Sequence, residues 1–141
     1  MAEQLITSGT VFRKKKGVTE WLLIKNKEGK WEFLKILVKR GESSVGAILR
    51  VLREGMGFVV EVLEESGRHS QISSKNGTKI QERTIYYLIE EKGDRIKIEE
   101  NTREEKWFQH PQATKALGAE REKKILKKAR EVLKEYLKKK K

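Results

Sequence analysis

The first part of the chain alternates apolar and polar residues with a period near two. Leu5 to Phe12 is rich in Thr, Val, Ile and Phe and predicts a strand. Arg13-Lys14-Lys15-Lys16-Gly17 follows as a basic turn, and Glu20 to Lys25 predicts the second strand of a hairpin. Asn26-Lys27-Glu28-Gly29-Lys30 predicts another turn, leading into a short extended stretch through Trp31 and Phe33. The period then becomes helical. Ala47, Ile48, Val51 and Leu52 share one face of a helix that Ser43 or Ser44 can cap, that runs to about Glu54 and that Gly55 ends. Phe58 to Leu63 predicts a strand, and the polar, turn-rich run from Ser66 to Gly77 predicts a mobile loop. Ile80 to Ile89 carries Thr84, Tyr86 and Leu88 on one side, a strand pattern. After a turn at Gly93-Asp94, Arg95 to Glu99 alternates basic and apolar residues. Trp107-Phe108 predicts a short strand, and Pro111 opens a brief helix ending near Gly118. The last element is a long amphipathic helix with Ile125, Leu126, Ala129, Val132, Leu133, Tyr136 and Leu137 on its apolar face. Beyond it, Lys138 to Lys141 have nothing to bury and are expected to fray.

These elements, without internal repeat or linker, make an α+β protein. The length of 141 residues suits one domain, and 36% apolar residues allow one modest core. Two regions are expected: residues 1–118 as the α+β unit, and 119–141 as a basic amphipathic helix with a lysine tail. No apolar run reaches the roughly 18–20 residues that cross a bilayer. The start, Met1-Ala2-Glu3-Gln4, lacks the apolar segment of a secretory signal, so a cytoplasmic protein is expected. Cysteine is absent, which excludes disulfides, thiolate zinc sites and cysteine nucleophiles.

Charge sharpens this reading. The net charge is +12, and residues 120–141 alone hold eleven Lys/Arg against four Glu. A basic stripe of this kind suits nucleic acid or another polyanion; a solvated helix with a lysine tail is the equal alternative. The basic residues that would meet phosphate are Arg13, Lys14, Lys15 and Lys16 in the hairpin turn, with Lys35, Lys39 and Arg40 before the first helix. Lys123, Lys124, Lys127, Lys128, Arg130 and Lys134 stud the last helix, followed by Lys138, Lys139, Lys140 and Lys141. Lysines without ordered aromatic interleaving favour backbone contacts over base reading, so structured RNA recognised by shape fits better than a sequence-specific DNA site.

The order of elements, and the residues from Trp31 to Phe58, resemble the Nudix hydrolase family. Its box reads G-x5-E-x7-R-E-U-x-E-E-x-G-U, with U a bulky apolar residue. Aligned from Ile36, residues 36–58 place Glu42, Arg50, Leu52, Glu54, Gly57 and Phe58 in register. Trp31-Glu32-Phe33-Leu34-Lys35 is similar to the W-x-F-P-K lead-in, and Gly41-Glu42-Ser43 with Ala47 to the family's G-E-S…A stretch. Trp107-Phe108 with Pro111, Gln112 and Ala113 is similar to the late tryptophan strand and short helix. The resemblance spans residues 5 to about 118. It implies an α/β/α sandwich with a mixed sheet, here carrying a long basic C-terminal helix. It also implies that Glu42 and Arg50 form a structural ion pair and that Gly57 permits the turn into the next strand.

Three positions disagree: Ile36, Val51 and Gly55. In the family the first is a glycine offering its carbonyl to a divalent metal, and the other two are glutamates that bind metal or activate water. Positions 51, 54 and 55 are spaced i, i+3 and i+4, so acids there would converge on one helical face around magnesium. Only Glu54 remains. The expected function is therefore a catalytically silent Nudix-like protein, without cofactor, that binds RNA through phosphate contacts. It would be a small component of a ribonucleoprotein particle such as the ribosome. The alternative is a diverged magnesium-dependent hydrolase of a nucleoside diphosphate-linked or dinucleoside polyphosphate substrate, with metal on Glu54 and help from Glu104 or Glu105. A third class is an interaction module docking the basic helix on an acidic protein or anionic membrane.

Other residues carry less. His69 and His110 lie far apart with no Ser or Asp at a telling spacing. Trp31, Trp107, Tyr86 and Tyr87 are expected in the core or lining a cleft, with base stacking as the sharper possibility. Gly55-Met56-Gly57 follows a helix instead of preceding one, the wrong geometry for a phosphate cradle.

Overall fold

A computed structural model describes residues 2–140. The chain forms β1 (Ala2–Lys15), β2 (Val18–Lys25), β3 (Trp31–Glu32) and β4 (Leu34–Leu37), then α1 (Ser44–Arg50) running into a π-helical turn over Val51–Gly55. There follow β5 (Val60–Lys75), β6 (Thr78–Glu91), β7 (Glu105–Gln109), α2 (His110–Ala116) and α3 (Glu120–Lys139). The seven strands make one mixed sheet in the order β3-β2-β1-β6-β5, with β4 on β1 and β7 on β2. β1 and β6 run parallel from Ala2↔Ile80 to Phe12↔Glu90; the other pairings between these strands are antiparallel.

Strand alternation sorts the core into two layers. Val11, Leu22, Ile24, Tyr87 and Ile89 face α1 and the π turn, where they meet Ile48, Val51, Leu52 and Met56. Phe12, Trp21, Leu23, Tyr86 and Leu88 face the other way and are covered by Ala113, Ile125, Leu126, Ala129 and Leu133 of α2 and α3. The result is the α/β/α sandwich. Gly9 lets α1 come close, since a Cβ there would stand 3.2 Å from Ile89 and 3.4 Å from Ile48. Among the described residues no helix is long and apolar enough to cross a membrane.

Two sequence expectations change. Arg13, Lys14 and Lys15 belong to β1, because the turn is the two-residue Lys16-Gly17 with φ of 51° and 81°. The Ser66–Gly77 loop is instead the distal half of β5 and its hairpin turn, paired with β6 from Gly67↔Tyr86 to Lys75↔Thr78. Ladder hydrogen bonds use backbone alone, so an edge strand with solvated faces needs no apolar signature. The Asn76-Gly77 pair, with φ of 51° and 78°, closes the hairpin.

One charged residue of the basic helix is buried with its apolar face. Glu122 is 1% exposed, with Lys35 Nζ 3.5 Å from its Oε2. Lys35 also reaches Glu32 at 3.6 Å. The 3.5 Å separation is an ion-pair contact too long for a good hydrogen bond, and Glu122 Oε2 has no hydrogen-bond partner. Burial raises the Glu122 pKa, with Lys35 pulling against it. The folded protein therefore holds this proton more tightly than the unfolded chain does. That contribution is full below the unfolded carboxyl pKa and is lost as pH rises through the raised folded value. Glu122→Gln, uncharged throughout, should raise the thermal midpoint at about pH 8 and leave it nearly unchanged at about pH 4. Melts of the two proteins across that range check this; an equal effect at both ends would refute it.

Candidate functional site

The loop before α1 is held by charge. Arg50 Nε donates to Glu42 Oε2 at 2.7 Å and its Nη2 to Oε1 at 3.2 Å, while Lys39 N donates to the same Oε1 at 3.2 Å. The Arg50 hydrogen bond, then the Lys39 amide, lowers the Glu42 pKa, and Glu42 in turn raises that of Arg50. Ser43 Oγ accepts from Gly46 N at 2.9 Å and caps the helix. The structure thus brings Glu42 and Arg50 together.

The helix is not regular to Glu54. From Val51 it widens into the π turn, in which positions five apart, rather than four, are hydrogen-bonded. Its end is fixed by Gly57, at φ +77°, whose N donates to Arg53 O at 3.1 Å. Ile96 N donates to Gly57 O at 2.9 Å, and a Cβ on Gly57 would lie 1.8 Å from Ile96 O. Only glycine fits under this segment.

The three positions that carry acids in the family lie in this turn. Val51 is 8% exposed and packs in the α1-side core. Glu54 is exposed, and Gly55 presents bare backbone. The Arg103 guanidinium stands 3.9 Å from where a Cβ on Gly55 would be. Glu104 pairs with Lys25 at 3.4 Å, and Glu105 is bonded to Arg95. Ile36 lies in β4 opposite Thr7. Among the described residues no three His, Cys, Asp or Glu side chains are grouped to hold a metal ion. A resident magnesium ion, which dehydrates reluctantly and needs several oxygen ligands, does not fit this donor set.

Beside the turn runs a layer of arginines on aromatic rings. Arg13 pairs with Glu20 at 2.8 Å and lies 4.3 Å from the Trp107 ring. Trp107 meets Phe58 edge-on, and Arg95 lies 4.0 Å over Phe58 while its Nε donates to Met56 O at 2.9 Å. Burial raises the pKa of nearby Glu91 against the pull of Arg13 and Arg95. Sequence reasoning missed Arg95 and Arg103. The Arg95–Glu105 pair joins an irregular segment to a strand, and no periodicity marks it.

The basic residues divide. Lys14, Lys127, Arg130 and Lys134 converge on an open groove of about 630 Å³ between the β1–β2 hairpin, α2 and α3, with His110 on its wall. Burial and Arg130 lower the His110 pKa, keeping it neutral. Lys15, Lys16, Lys124, Lys128 and Lys139 are exposed. Lys123 pairs with Glu120, Lys138 with Glu135, and Lys140 lies over Tyr136. Arg13 and Lys35 are engaged as described. Lys39 and Arg40 are exposed and follow Val38, whose N donates to Leu5 O near the opposite end of β1, nine residues or about 30 Å of strand from Lys14. Lys141 lies outside the described residues. Of the aromatics, Tyr86 and Tyr87 are buried, Trp31 packs edge-on against Phe108, and His69 sits on β5 beside Gln71.

A family profile described as NUDIX domain matches residues 5–129. No curated protein matches the sequence significantly. Among solved structures, an Ap4A hydrolase from C. elegans in a binary complex is 19% identical with a TM-score of 0.74, covering 92% of this chain and 97% of that one. The NUDIX domain of Shewanella oneidensis NrtR, complexed with ADP ribose, is 18% identical with a TM-score of 0.66, covering 94% and 90%. A mutT/nudix family protein from Listeria innocua is 21% identical with a TM-score of 0.67, covering 97% and 98%. At these identities the likeness is one of fold.

Gly57→Ala should cost about 3 kcal/mol or more, combining the left-handed backbone with a collision against Ile96 O that only a backbone shift relieves. Urea unfolding measures this, and a cost under about 1 kcal/mol would show that the Ile96 segment yields freely.

Proposed function

The chain belongs to the Nudix domain family, and from that premise we propose that it recognises a nucleoside diphosphate-linked or dinucleoside polyphosphate compound, with magnesium-dependent cleavage largely lost. The ligand class draws on the family and on neighbours whose names include an Ap4A hydrolase and a domain holding ADP ribose. These favour it over RNA binding. The loss of cleavage rests on one observation: the π turn buries Val51, bares Gly55 and leaves Glu54 as a single exposed carboxylate.

The local charge has also changed sign. Where the family carries an acid at position 55, this chain has no side chain there and a guanidinium beside it. Arg103 can meet phosphate oxygens directly, by charge-assisted hydrogen bonds that need no bridging cation. Lys39 and Arg40 add exposed cations in the loop that Glu42 and Arg50 hold to α1. A second reading, RNA held through its phosphates, draws on the Lys14–α3 groove; membership of a ribosome-like particle in the cytoplasm has only net charge and composition behind it.

A metal clamp is worth several kcal/mol of barrier, and about 4 kcal/mol corresponds to roughly a thousandfold in rate. Calorimetry with ADP-ribose and Ap4A should therefore show binding that persists in chelator and weakens about tenfold in Arg103→Ala, one charge-assisted contact. Product analysis with magnesium or manganese should show no cleavage sensitive to Glu54→Gln. Metal-dependent cleavage abolished by Glu54→Gln would replace this reading with the hydrolase; absence of binding to either compound would remove both.

A further inference from the structure

We infer that the groove between the β1–β2 hairpin and the C-terminal half of α3 is a binding site for single-stranded nucleic acid. It lies on the α2/α3 face of the sheet, while the π turn lies on the other, so it is a separate site from the one proposed for nucleotides.

Charge is the first argument. Lys14 stands on one wall and Lys127, Arg130 and Lys134 on the other, against one acid, Glu131. None of these four basic side chains has an ion-pair partner among the described residues, unlike Lys35, Lys123 and Lys138. Neutral His110 adds no charge but can donate or accept a hydrogen bond. A groove lined by one sign of charge focuses the field and attracts a polyanion.

Length is the second. Lys127, Arg130 and Lys134 recur at i, i+3 and i+7 on one stripe of α3, a span of about 10 Å at 1.5 Å per residue. An array of that length, faced by Lys14, suits a run of phosphates better than a single phosphate group.

The third is the floor. Among the cations the lining includes Pro111 and Leu137, the latter 41% exposed, with Leu133 buried nearby. Apolar ground among cations suits bases turned out of a stack, which a single strand offers and a duplex conceals. A volume near 630 Å³ accommodates groups of nucleotide size. The backbone chemistry is shared by RNA and DNA, so both are candidates for the strand.

The test is fluorescence anisotropy of labelled oligouridine and oligothymidine titrated with the full chain. Lys127→Glu/Arg130→Glu/Lys134→Glu should weaken binding at least tenfold. It should also flatten the dependence of log affinity on log salt by about 2, since each phosphate contact on a single strand contributes about 0.7. Leu137→Ser should weaken binding without changing that slope. Lys75→Glu/Lys79→Glu, at the β5–β6 hairpin beyond the far end of β1, should leave both unchanged. All of these positions are exposed, and circular dichroism verifies the fold. A preference for oligouridine identifies RNA as the strand; equal affinity identifies the shared backbone. No binding of either strand, equal loss in the Lys75/Lys79 variant, or tighter binding of a duplex would each overturn the site. ADP-ribose binding by the triple variant should stay at the wild-type value, so failure here and failure of the nucleotide reading are separately visible.

Discussion

The parallel ladder between β1 and β6 is the constraint from which the rest of the molecule follows. Eleven consecutive residues of the first strand are registered against the sixth, with apolar side chains on both faces. A slip of β1 by one residue would exchange its two faces, moving Val11 toward α3 and Phe12 toward α1. Thr10 helps to hold the register, its hydroxyl donating to Tyr87 O at 2.9 Å. Because parallel partners need a crossover, the chain must cross one face of the sheet before β6, and α1 with the π turn makes that crossing between β4 and β5. The box region and the groove are thereby assigned to opposite sides of one sheet.

On the α1 side, the elements that shape the loop and turn are intact while the oxygen donors are not. Glu42 and Arg50 still hold the loop, and Gly57 still makes room for the Ile96 segment. Arginines now stand on aromatic rings beside the turn, and the acids that could have helped Glu54 are engaged by Lys25 and Arg95. The scaffold's mechanical parts are separable from its chemical ones because hydrogen-bonded loops and packed strands depend on different residues from those that face solvent.

Legibility followed physical origin. The apolar faces of α1 and α3 and the alternation of β6 were readable because burial imposes a period on side chains. The Glu42–Arg50 pair came from the family resemblance. The distal half of β5 was not readable, since its pairing uses backbone groups that every residue has; the Asn76-Gly77 dipeptide was the available signal. The burial of Glu122 beside Lys35, and Arg103 beside Gly55, join distant parts of the chain and leave no local trace. Likewise, residue types alone could not separate the lysines that converge on the groove from those occupied by neighbouring glutamates.

The inward position of Val51 also bears on how the turn could be redesigned. A carboxylate returned to that place would have to shed its hydration inside a packed layer of Ile48, Leu52 and Phe58, a penalty of several kcal/mol before any cation arrived to offset it. An acid restored at this position alone would thus loosen the fold before it could assemble a metal site, so re-engineering the cage would have to begin with the packing around it.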